Sequence, residues 1–309
     1  MRLICLPILL FAAGAIYAQQ PSIASRLGYP DNARLLIIHA DDLGMAHSEN
    51  QASIIGLENS PVNSASIMVP CPWFPEIAAY ARSNKQADLG LHLTLNSEWK
   101  HYKWGPVSSR DAVASLLNKQ GYFYATVDST VQKAKPGEVE LELRNQVKKA
   151  YEAGIDVTHL DAHMRAALST PEFIAAYMRV GKEFGLPLLL PRRVLEYDHP
   201  EINALFDENT VLMDGIHTVV PEDYRKGPEK YYDSLMKNLP PGLHSLQIHL
   251  AYDNDEMQAI TVDHPDWGAS WRQADFDYFT SDAFRQLLEA EDIILVTYRE
   301  LRDKISRAE

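Results

Sequence analysis

The chain has 309 residues, 46% of them hydrophobic, and a formal net charge of -13 at pH 7. That charge argues against nucleic acid as a partner, because a nucleic-acid binder needs a basic face to displace counterions, whereas neutral sugars remain compatible with it. Length and apolar content suffice for one large α/β domain.

The opening MRLICLPILLFAAGAIYAQQ places Arg2 ahead of an apolar run from Leu3 to Ile16, then a small residue at Ala18 before Gln19 and Gln20. This pattern reads as a signal peptide over residues 1–18, followed by an N-terminal segment at 19–33 and the main domain at 34–305. The run is shorter than the ~20 residues of a spanning helix and contains Pro7, so no stable membrane span is expected after cleavage. The expected location is periplasmic or extracellular. Cleavage leaves Cys71 as the one cysteine, which excludes an internal disulfide. Set between Pro70 and Pro72, it reads as a small buried hydrophobe.

Arg34 to Ala40 (RLLIIHA) is an apolar run that stops at Asp41, Asp42 and Gly44, as a buried strand does on entering a loop. A helix from Ser48 toward Asn59, a strand at 64–69 and a helix through about Ser83 continue the alternation. A third strand is predicted at 87–93, followed by a long polar and aromatic loop region from Asn96 to about Phe123. Beyond Pro136 the helical spacing of GEVELELRNQVKKAYEAG ends at Gly154, and a strand follows at 157–160. The remaining predicted units are a helix at 171–184, a strand at 186–190, a helix at 221–238 and a strand at 243–250. The chain closes with a helix around 277–290, a strand at 293–296 and a short helix from Tyr298. Such alternation predicts a parallel sheet covered by helices, with an irregular barrel fitting the number of units better than an open sheet.

Four predicted strands end in ionisable residues: Asp41 and Asp42, His92, the group His159, Asp161 and His163, and His249. Carboxyl ends of parallel strands converge on one face, so residues far apart in sequence come within reach of one ion. Two imidazoles and a carboxylate leave coordination positions open for water and a substrate oxygen, which suits hydrolysis of an ester or amide. Zinc is the natural ion for that donor set, with magnesium, manganese and cobalt also compatible. Of the adjacent aspartates, one can ligate while the other acts as base. His159 is left outside the ligand set, and Asp161 is assigned to orienting a ligand or lining the substrate pocket.

Taken together, HADDLG at 39–44, LGLHLTL at 89–95, THLDAHM at 158–164, IHLAY at 248–252 and the closing IILVTYREL make the sequence resemble the YdjC-like carbohydrate deacetylase family from about Arg34 to Leu301. The resemblance implies a distorted (β/α) barrel of the polysaccharide-deacetylase type. It also implies a single divalent ion, Zn2+ or Mg2+, on Asp42, His92 and His163, with Asp41 as general base and His249 as general acid. The implied substrate is an acetylated amino-sugar oligosaccharide. Where the family often continues its third motif with another histidine, this chain has Met164, Arg165 and Ala166, and Leu250 replaces a common proline after His249. Arg165 is thereby a candidate contact to an acidic sugar. Arg192 and Arg193 are candidates for orienting Asp41 or binding substrate, and aromatic residues between Trp99 and Tyr124, with Trp267, Trp271, Tyr278 and Phe279, for stacking on sugar faces. Rival readings are a metal-dependent esterase or phosphodiesterase on the same site, and a carbohydrate-binding protein without catalysis.

Overall fold

The apolar run at Arg34–Leu43 forms the central strand, β1, in which every residue after Arg34 is buried. A strand buried on both faces needs cover on both sides, and the chain supplies it with helices after nearly every strand. In the computed structural model, which describes residues 21–307, β1 lies parallel to β2 (Ser64–Ile67) on one side. Beyond β2 come β3 (Leu89–Leu93) and β4 (Leu160–Ala162), again parallel. Past β4 the sheet extends toward β5 (Gly215–Thr218), which pairs with β6 (Gly242–Ile248) on the other side of β1. A short last strand, β7 (Ile294–Leu295), pairs with the start of β1.

Isolated parallel bridges Leu160↔Leu188 and Pro191↔Met213 carry the pairing from β4 toward the start of β5, so the sheet curls back on itself. The result is the α/β, distorted barrel expected from the alternation of units. The signal-peptide reading of residues 1–18 lies outside the described residues. Among those described, no helix is long and apolar enough to cross a membrane.

Several element boundaries differ from expectation for identifiable reasons. The strand expected at 186–190 contributes single bridges, and β5 was not anticipated because its residues GIHT carry no apolar run and are only half-buried. The helix expected over 221–238 is two, Pro221–Tyr224 and Pro228–Asn238. Gly227 has φ 104 there, and Pro228, which lacks an N–H, starts the second helix. The helix expected at 277–290 also divides, into Ala269–Phe279 and Asp282–Ala290, the latter capped by the Ser281 side chain accepting from the Phe284 N–H. The split matters because Ala269–Phe279 turns out to carry a residue of the site.

Beneath the site, the His159 ring stacks on Tyr298 with centroids 3.8 Å apart and meets His39 edge-on at 4.9 Å. Asp88 accepts from the backbone N–H groups of Tyr298 and Arg299, tying the end of the chain to the start of β3. His159 has room only because Gly90 in β3 lacks a side chain, since a Cβ there would be driven into the imidazole. Gly90→Ala is therefore expected to lower stability by about 1–3 kcal/mol through overpacking. Urea unfolding checks this, and an unchanged midpoint would show that the ring can move aside.

Candidate metal centre

At the end of β1 the backbone departs from the pleat. Asp42 has φ 64, in the left-handed region, and the pairing with β2 slips between Ala40 and Leu43, with one extra residue on β1. In a regular strand Asp41 and Asp42 would point to opposite faces. The bulge brings both carboxylates to one side, where Asp41 Oδ1 and Asp42 Oδ2 lie 3.2 and 3.9 Å from His249 Nε2. A non-glycine residue in this conformation costs about 1–3 kcal/mol and persists only where its surroundings enforce it. Enforcement here includes Gly44 at φ 90, whose N–H donates to Asn50 Oδ1 at 2.6 Å.

Asp42 Oδ1 is buried and has no hydrogen-bond partner. It lies 3.4 Å from His92 Nε2 and 3.3 Å from His163 Nδ1. Two donors bound to zinc at 2.0–2.1 Å with a tetrahedral angle are about 3.3 Å apart, so an orphaned oxygen and two ring nitrogens have the mutual spacing of a ligand set. The opposite atom of each group is also committed. His92 Nδ1 donates to Asp161 Oδ2 at 2.8 Å, His163 Nε2 donates to Glu98 Oε2 at 3.0 Å, and Asp42 Oδ2 accepts from Arg272 Nη2 at 2.8 Å. A carboxylate behind an imidazole fixes its tautomer and leaves the other nitrogen free to ligate. Two imidazoles and one carboxylate thus fit a single divalent ion.

The electrostatics point the same way, for the carboxylates in this cluster retain positive charge against the cost of burial. Burial pushes the His163 imidazole down, but Glu98 and Asp42 outweigh it and raise its pKa to about 10. In His92 burial is likewise outweighed, by Asp161 first and then by Asp41 and Asp42, for a net upward shift. Burial would raise Asp42, yet Arg272 and the neighbouring histidines hold it well below the usual carboxylate range. His249 is lowered, with burial the largest cause.

Of the residues singled out in the sequence, Asp41, Asp42, His92, His163 and His249 meet at the carboxyl ends of β1, β3, β4 and β6. Of the two roles expected for Asp161, orienting a ligand and lining the substrate pocket, the structure supports the first and corrects the second. This residue is 1% exposed, sits behind His92, and its Oδ2 lies 3.4 Å from His39 Nε2, so it orients an imidazole and faces no pocket. His159 stays outside the cluster, in the stack with Tyr298. Arg165 is exposed beside His163, where it and Met164 take φ values of 58 and 51 in succession.

Arg192 does not orient Asp41, because its guanidinium is engaged with Asp214 Oδ1 at 2.6 and 2.9 Å. Arg193 is exposed and makes no ion pair among the described residues. Trp99, Trp104, Trp271 and Phe279 are buried in the core, and Trp104 Nε1 is spent on the Asn96 carbonyl, which removes them as sugar platforms.

Sequence reasoning missed His39, Glu49, Glu98 and Arg272. His39 lies two residues before Asp41 on β1 and therefore on the same side of the strand as Asp41 would be, a signal that alternation alone provides. Glu98 follows the His92 strand by only a few residues. Arg272 and Glu49 come from helices Ala269–Phe279 and His47–Asn59, and nothing in their local sequence separates them from surface charges.

The family model described as YdjC-like protein matches residues 35–290. The chain is 31% identical over 293 residues to a carbohydrate deacetylase of Thermus thermophilus, spanning 92% of this chain and 99% of that one. It is 24% identical over 273 residues to a carbohydrate deacetylase of Thermoanaerobacter pseudethanolicus, spanning 87% and 100%. Among solved structures it is similar to a candidate cellobiose-phosphate cleavage protein from Enterococcus faecalis, with TM-score 0.71, 20% identity and coverage of 87% and 99%. That last likeness speaks for the fold alone.

The raised histidines give a pH dependence with a definite sign. A group whose folded pKa lies above its unfolded value of about 6.5 contributes stability that is complete below that value and lost as pH rises through the folded one. Chelator-treated protein is therefore expected to lose stability between pH 6.5 and about 10, the window set by His163. His163→Gln should flatten that slope in urea titrations run across the window. Equal slopes in the two proteins would mean that His163 does not carry the charge.

Proposed function

The chain belongs to the YdjC-like family, and from that membership and the geometry of its buried cluster we propose that it is a metal-dependent carbohydrate deacetylase acting on N-acetylated amino-sugar oligosaccharides. The observation that carries this reading is the unpartnered Asp42 Oδ1, spaced as a ligand from two imidazole nitrogens whose far sides are braced by carboxylates. Two acid/base groups, Asp41 and His249, stand on the same side. The names of the two bacterial relatives support carbohydrate as the substrate class. The surplus of carboxylates around the cluster disfavours a phosphodiester, which would bring more negative charge to it.

In this reading Asp42, His92 and His163 hold one divalent ion. Bound there, the ion supplies Lewis acidity toward water and the amide carbonyl oxygen. Zinc suits two imidazoles better than magnesium, which favours all-oxygen sites. Asp41 takes a proton from the attacking water as the new C–O bond forms. His249 Nε2, 3.2 Å from Asp41 Oδ1, delivers a proton to the nitrogen as the C–N bond breaks, so amide and water become acetate and free amine. Asp161 and Glu98 keep the ligating nitrogens of His92 and His163 directed at the centre. On the strength of Arg2, the apolar run and Ala18, the reaction takes place in the periplasm or outside the cell.

Acetate release from a panel of N-acetylated oligosaccharides tests the proposal. Activity should vanish with a chelator, return with a divalent ion and be absent in His163→Ala. Asp41→Asn should keep the metal while kcat falls by about 10²- to 10⁴-fold, the usual contribution of a positioned base. Metal-loaded protein that releases no acetate anywhere on the panel, yet hydrolyses another class of bond, would overturn the assignment.

A further inference from the structure

Arg272 is 1% exposed and Glu49 is 0% exposed, a buried pair that no step of the proposed reaction uses. Its guanidinium is engaged on all three nitrogens. Nη1 donates to both Glu49 oxygens at 2.7 and 2.6 Å, Nη2 to Asp42 Oδ2 at 2.8 Å, and Nε to the Trp267 carbonyl at 2.8 Å. The guanidinium carbon also stands over the Trp99 ring at 5.7 Å. Glu49 and Asp42 together hold the guanidinium above its already high pKa despite burial, so the charge is permanent.

Burying such charges is not an economical way to stabilise a fold, since well-packed apolar side chains commonly do as well or better. The use of this guanidinium is found at its far end, on the outer oxygen of a carboxylate whose inner oxygen is unpartnered. A second observation bears on the same oxygen. Ligand atoms of Asp41, Asp42 and His249 lie within 4.8 Å of one another, a second set of donors sharing Asp42 with the first. Carboxylate-bridged pairs of ions form where one aspartate can offer an oxygen to each side. Here the oxygen that would serve the second ion is taken by a cation that belongs to the protein.

We propose that Arg272, anchored by Glu49, is a positioning residue for the metal centre: by occupying Asp42 Oδ2 it presents Oδ1 alone to the ion and keeps the site to one divalent cation per chain. The inference rests on the metal reading of the cluster proposed above. It assigns Arg272 two measurable effects, ligand orientation and exclusion of a second ion, neither of which needs turnover to be seen.

Cobalt(II), whose visible spectrum reports its ligand geometry, is the probe. Metal-stripped full chain is titrated with it, and bound cobalt is measured by elemental analysis after equilibrium dialysis. Wild type should bind one equivalent. Arg272→Gln should raise Kd for cobalt by about 10- to 100-fold, the usual effect of removing a group that orients a ligand, and alter the spectrum. Arg272→Lys, which keeps the charge without the fork, should fall between the two. If Arg272→Gln does not fold, Arg272→Lys and Glu49→Gln carry the test, each expected to weaken cobalt binding. Wild-type Kd and spectrum in the folded variants would make Arg272 a packing element, and two equivalents on wild type would overturn the exclusion of a second ion. Wild type that binds no cobalt would bring down the metal reading itself, an outcome distinct from both.

Discussion

Asp42 stands in a left-handed conformation at the end of a strand buried on both faces, and the rest of the site is arranged around holding it there. The bulge that accommodates it carries Asp41 to the same side, which lets adjacent aspartates face a common centre. Its inner oxygen meets two imidazoles, and its outer oxygen meets a guanidinium. Strain of this kind survives only when several contacts agree on one geometry. Three of those contacts come from separate strands or helices, so the local conformation of one residue depends on the completed barrel.

The cluster is also organised by charge. Asp41, Asp42, Glu49, Glu98 and Asp161 would be intolerable together in a low dielectric without cations among them. Imidazoles alternate with carboxylates through Asp161, His92, Asp42, His163 and Glu98, and Arg272 closes the other side. A divalent ion at the meeting point of Asp42, His92 and His163 would take over the positive charge that protons on the histidines otherwise supply. The acidic surplus that the sequence shows in bulk is thus repeated at the scale of a few side chains.

What the sequence made legible was whatever sits at a strand end. Asp41, Asp42, His92, His163 and His249 follow apolar runs, and the convergence of parallel strands does the rest. Asp161 was left between orienting a ligand and lining the pocket because strand alternation, which puts it on the side of His163, does not tell which imidazole from another strand will lie against it. Arg272 and Glu49 were invisible for a stronger reason. They sit on helices that pack over the site from far apart in sequence, and a charged residue on a helix is ordinarily a solvated one. Strand β5 was missed because its residues are half-buried and lack an apolar run, so pairing with β6 defines it more than its own composition does.

The stack of His159 on Tyr298 sets an order in time. During synthesis the residues of the candidate centre up to His163 are complete before the floor beneath them, because that floor includes the ring of Tyr298, well over a hundred positions further along. Asp88 and the start of β1 likewise wait for backbone partners from residues 294–299. Domains fold as units, and this one cannot finish until the segment that carries β7 and Tyr298 is available to pack.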